Sequence, residues 1–124
     1  MELITRLRLS FAVPMALLVA ALFVVGPASA APKTVNGTVG PGFTISLKRG
    51  SKKVTRLAPT TYRFKVTDKA SIHDFHLSGP GVNKVITGIG FKGTKTVTIK
   101  LRKGVYRYRC DPHSGEMHGS FKVG

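Results

Sequence analysis

Apolar side chains recur at every second position in several short runs: Phe43, Ile45 and Leu47; Tyr62, Phe64 and Val66; Val97, Ile99 and Leu101. Between them stand Thr, Ser, Lys and Arg. A period of two puts one set of side chains on each face of a strand, so these runs are strands with one dry face and one wet face. No stretch beyond residue 30 carries a helical period. Seven runs qualify as strands, at residues 34–39, 43–48, 61–67, 72–77, 94–101, 105–110 and 117–123. Arg49-Gly50-Ser51, Gly79-Pro80-Gly81, residues 88–93 and Lys103-Gly104 supply turns between them. The expectation is an all-β sandwich or barrel.

Residues 1–30 have a different composition. Arg6 and Arg8 precede an almost continuous apolar run at 11–25, and Ala28-Ser29-Ala30 follows. That order is expected of a secretory signal peptide cut after Ala30. A run of about 15 apolar residues is short of the roughly 20 that span a bilayer. The basic pair is Arg-Leu-Arg rather than Arg-Arg, which favours export of the unfolded chain. The expected organisation is therefore a leader at 1–30 and one domain at 31–124, outside the cytoplasmic membrane. Such a domain is large enough for a single modest core.

One cysteine, Cys110, lies in that domain, so no internal disulfide can form. A free thiol in an oxidising compartment is either buried and inert or occupied, for instance by a metal. Charge is equally lopsided. Residues 31–124 hold 18 Lys and Arg against four acids, a net of +14. The acids are Asp68, Asp74, Asp111 and Glu116, and three of them stand near His or Cys. So basic a domain suits an acidic partner protein, an anionic cell-surface polymer or lipid head groups. Nucleic acid is disfavoured by the export signal and by the lack of exposed aromatic runs for stacking bases.

Period-two parity sorts the chemically interesting side chains. In 105–110, Tyr106, Tyr108 and Cys110 share a face opposite Arg107 and Arg109, so Cys110 points inward. In 72–77, His73 shares a face with Phe75 and Leu77, while Asp74 and His76 take the other. In 117–123, Met117, Gly119, Phe121 and Val123 point in; His118, Ser120 and Lys122 point out. His113 sits in the turn just after Cys110. Two imidazoles, a thiolate and a weak thioether are the donors of a blue-copper electron-transfer site. A Cys–His hydrolase would need an orienting third group, and the sequence offers none. Tyr106 and Tyr108 read as core packing, and the run from Lys48 to Lys53 as a solvated hairpin tip.

Cys110-Asp111-Pro112-His113 followed by Met117-x-Gly119 resembles the ligand loop of the cupredoxins, a family that includes plastocyanin, pseudoazurin and amicyanin. His73-Asp74-Phe75 stands where that family has a His-Asn pair. The resemblance runs from about Val39 onward. It implies a Greek-key β-sandwich of about seven to eight strands with one copper ion at its end, cycling between Cu(I) and Cu(II). It also implies strong ligation by His73, Cys110 and His113, axial ligation by Met117, and electron exchange through His113. The chain is then expected to be a monomeric one-electron carrier rather than an enzyme, steered by its basic surface to an acidic redox partner. An extracytoplasmic copper chaperone or scavenger would use the same ligands. The sequence departs from the pattern twice. His113 and Met117 are separated by three residues, which brings Glu116 into contention as a ligand. Asp74 replaces Asn and is expected to face Asp111, so that one carboxyl pKa rises and the pair shares a proton or recruits a Lys.

Overall fold

A computed structural model describes residues 10–124. Residues 10–30 are exposed and carry no regular structure, and every strand among the described residues lies beyond them. The strands are β1 (Lys33–Val39), β2 (Ile45–Arg49), β3 (Lys52–Lys53), β4 (Arg56–Leu57), β5 (Thr61–Asp68), β6 (Phe75–Gly79), β7 (Val82–Thr87), β8 (Gly93–Lys100), β9 (Gly104–Arg109) and β10 (His118–Val123). They form two five-stranded sheets, in the orders β3-β2-β1-β5-β8 and β4-β10-β9-β6-β7. The fold is an all-β sandwich, as the alternation requires. Pairing is antiparallel except between β1 and β5 and between β4 and β10.

The dry faces meet as parity predicts. Leu47, Phe64, Val66, Phe75, Leu77, Tyr106, Tyr108 and Phe121 are all buried between the sheets. Two tyrosines lie over cross-strand glycines. A Cβ added at Gly119 would come within 2.3 Å of the Tyr108 ring, and one at Gly79 within 2.3 Å of Tyr106. Tyr108 stacks on Phe75 at 5.6 Å and Tyr106 on Phe121 at 5.5 Å. The Tyr106 hydroxyl donates to the Pro80 carbonyl (2.8 Å) and accepts from the Arg102 amide (3.0 Å). This satisfies a buried phenol, as burial demands.

Several expected details change. Three strands were not legible: β3 and β4 are only two residues long, and β7 is an edge strand that buries just Ile86 and Thr87. The run expected at 72–77 becomes a turn followed by β6, so His73 precedes the strand instead of lying within it. Phe43 was expected on the dry face with Ile45 and Leu47; it is 54% exposed, in the loop ahead of β2. The turn chemistry of Gly40-Pro41-Gly42 delays the strand by two residues.

Strand directions define two ends of the sandwich. β1 and β5 run in parallel toward Val39 and Asp68. β9 ends at Arg109 on that side and β10 begins there at His118.

Candidate metal centre

His73, Cys110 and His113 converge at this end, with their donor atoms all within 4.8 Å of one another. The Cys110 Sγ lies 3.7 Å from His73 Nδ1 and 3.5 Å from His113 Nδ1, and the two nitrogens are 3.2 Å apart. Three lone-pair-bearing atoms facing one another so closely repel unless a proton or a metal cation lies between them. The point equidistant from all three is about 2.0 Å from each. That matches a metal–imidazole bond of roughly 2.0–2.1 Å and approaches a metal–thiolate bond of roughly 2.3 Å. The thiolate selects a soft ion and the pair of imidazoles suits copper. The donor set therefore fits a single copper ion.

Local structure explains how each donor is held. Cys110 directly follows β9, and its amide donates to the Met117 carbonyl (3.0 Å), which closes the loop between them. Asp111–His113 forms one 3₁₀ turn, started by Pro112, whose ring fits the first helical positions. The His113 carbonyl then accepts from the amides of Glu116 (3.0 Å) and Met117 (2.8 Å). Met117 is fully buried beside Cys110 in the apolar core, whereas Glu116 is exposed. His73 is fully buried; its Nε2 faces the Pro41 carbonyl at 3.4 Å, leaving Nδ1 toward the cluster. Gly40 makes room for that ring. Its φ is +72°, and a Cβ there would sit 2.9 Å from His73 Cδ2.

Phe43 is a site residue that the sequence reading placed in the core. Its ring stands edge-on to both imidazoles, 4.8 Å from His113 and 5.8 Å from His73, so it partly covers the centre from solvent. No alternation rule reaches a loop side chain; the turn signal before it was the only available clue.

Asp74 is buried instead of pointing into water. Its Oδ1 accepts the Asp111 amide at 2.6 Å, and its own amide points at Cys110 Sγ from 3.5 Å. Burial pushes the Asp74 carboxyl up to about 6, assisted by its contact with the Asp111 side chain. Burial also pushes Asp111 upward, but hydrogen bonds from Asp74, Arg109 and His76 outweigh that and hold it near 2. The facing carboxyls thus split as expected, though the recruited cation is Arg109 (Nε to Oδ1, 2.8 Å) instead of a Lys. His76 is also less free than its parity suggested. Its Nδ1 lies 2.9 Å from Asp111 Oδ2, and its Nε2 meets Asn83 Oδ1. His118 is exposed, with Nδ1 bonded to the Ser114 carbonyl. Burial raises the Cys110 thiol above its ordinary value.

Comparison with known proteins agrees with this geometry. Residues 45–124 match the sequence profile of copper binding proteins of the plastocyanin/azurin family. A search of curated protein sequences gives no match. Among solved structures, reduced rusticyanin is similar in fold, with 23% identity and a TM-score of 0.51 over 81% of this chain and 89% of that one. A methionine-to-leucine variant of rusticyanin gives 21% identity and 0.54 over 77% and 79%. The copper-containing nitrite reductase of Thermus scotoductus gives 18% and 0.53; this chain covers 81% of its own length there but only 24% of that enzyme. With residues 45–124, well over half of its length, matched and a His-Cys-His cluster suited to one copper ion, the chain belongs to the plastocyanin/azurin family of copper-binding proteins.

Proposed function

We propose that the chain is an extracytoplasmic one-electron carrier, with copper held by His73, Cys110 and His113 and, more weakly, by Met117. The carrying observation is the ready-made triangle of donors, 3.2–3.7 Å on a side, held by two segments of the sandwich, the turn before β6 and the loop after β9. When bound, copper supplies the exchange of a single electron between Cu(II) and Cu(I). The protein's part is to keep the donors in place across both states. His73 and Cys110 are fully buried and dry, and the Asp74 amide is aimed at the thiolate. His113 is only half-buried, so it forms the edge nearest a docking partner. Burial of Met117 and exposure of Glu116 support the thioether as the fourth ligand.

The partner we propose is an acidic redox protein, met by the chain as a monomer. A cleft of about 320 Å³ beside the copper loop, lined by Arg107, Arg109, Ser114 and His118 among others, offers cationic and hydroxyl groups to its carboxylates. Residues 1–30 are proposed to be a removed export signal; among the described residues, no helix is long and apolar enough to cross a membrane. Burial of two of the three donors favours the carrier over a copper-delivery protein, whose metal must pass to another chain's ligands. The test is the visible spectrum of residues 31–124 after one equivalent of Cu(II). An intense thiolate-to-copper band that bleaches with ascorbate and returns with ferricyanide is expected. Pale copper that does not cycle would move the delivery reading ahead.

A further inference from the structure

The acids of the domain are gathered at one end of the sandwich. All four acids after residue 30 sit at the metal end: Asp68 closes β5, Asp74 and Asp111 flank the cluster, and Glu116 is on its loop. The opposite end carries none. There β2 turns into β3, the chain crosses between sheets, and β4 pairs with the end of β10. Arg49, Lys52, Lys53, Arg56, Lys103 and Lys122 are exposed on this end. None of them is ion-paired with an acidic side chain among the described residues; Arg56 donates only to the Gly124 oxygen. A cleft of about 320 Å³ bounded by Arg49, Lys52, Lys53 and Arg56 opens in their midst.

Six unpaired cations crowded on one end repel one another, so the arrangement destabilises the isolated domain and suits a dense array of anions. The chain's path indicates which array. β1 starts at Lys33 on this same end, and the apolar run at 11–25 joins the domain through it. Until that proposed leader is removed, it holds the cationic end against the membrane through which the chain is exported. We propose that this end docks on an anionic phospholipid surface, with the hairpin at 49–53 lying on the head groups. The metal centre is then held at the far side, facing the aqueous compartment. The proposal stands whether or not the copper carries electrons.

The test uses residues 31–124, which contain every strand and the whole core, in cosedimentation with phosphatidylglycerol/phosphatidylcholine vesicles at about 0.1 M salt. Binding is expected to these vesicles and not to phosphatidylcholine alone. Each cation at such a surface contributes roughly fivefold, so Arg49→Gln/Lys52→Gln/Lys53→Gln should lose on the order of 100-fold. The control, Lys65→Gln/Lys69→Gln/Lys92→Gln, removes the same charge elsewhere and should lose under tenfold. Equal losses from both triples would mean that net charge alone binds, and would overturn the proposal. So would binding to polyglycerol phosphate but not to vesicles. Amide exchange on the vesicle-bound domain should show new protection at 49–57; protection at 111–117 instead would mean the wrong end docks. Circular dichroism of all variants confirms that they fold, and the copper band, read separately, reports on the carrier reading.

Discussion

Gly119→Ala is the most exacting test of how the core supports the metal loop. The new Cβ would lie 2.3 Å from Tyr108 Cζ and Oη, about 1 Å inside ordinary contact. The ring is stacked on Phe75 and tilted against Phe121 at 6.4 Å, so moving aside displaces other buried rings. Overpacking of this kind costs typically about 1–3 kcal/mol, and an overlap against a rigid ring belongs at about 3. For a urea m-value of about 1–3 kcal/mol/M, the midpoint falls by roughly 1–3 M, read by circular dichroism on the copper-free domain. Tyr108→Leu removes the obstructing ring, so in that background the same alanine should cost under about 1 kcal/mol. The coupling is then about 2 kcal/mol. An equal cost in both backgrounds would refute the contact as the cause and point to β10 backbone conformation instead.

Other substitutions probe different parts of the argument. Tyr106→Phe strands the Pro80 carbonyl and the Arg102 amide and should cost about 1–3 kcal/mol in urea unfolding, with the copper band unchanged. Asp74 has a folded pKa raised from 3.8 to about 6, so its contribution is fully present below pH 3.8 and is lost as pH rises through 6. Asp111 runs oppositely: its contribution is present above pH 3.8 and lost as pH falls toward 2. Thermal melts of the copper-free domain should therefore show stability falling from pH 4.5 to 7.5, and Asp74→Asn should flatten that limb; an unchanged slope would assign it to other groups. Cys110→Ser should abolish the intense visible band outright, whereas Met117→Leu should keep it, because the three strong donors remain. Loss of the band in Met117→Leu would show that the thioether does more than cap the axis.

What could be read beforehand followed from periodicity. Wherever a strand had one dry face, as in Tyr106, Tyr108 and Cys110, parity alone gave the buried side. The method failed where that condition lapsed. β7 lies at a sheet edge and leaves Val85 and its neighbours in water, so it shows no alternation. Phe43 and Asp74 owe their positions to loops folded over the end of the sandwich, and tertiary contact overrides local pattern there. The mutual hydrogen bonding of His76, Asp111, Arg109 and Asn83 joins four segments, which no local spacing encodes.

The donors' separation along the chain has a kinetic consequence. Cys110 and His113 are three residues apart, but His73 is 37 residues from Cys110 and reaches it only across the closed sandwich. A partly folded chain can offer an ion two of the three strong donors at most, so the complete triangle forms late. Interactions absent from the folding transition state slow unfolding and leave the folding rate nearly unchanged. Loading with copper should therefore lengthen the lifetime of the native domain without hastening its formation, and the folded protein, not the nascent chain, is what captures the ion.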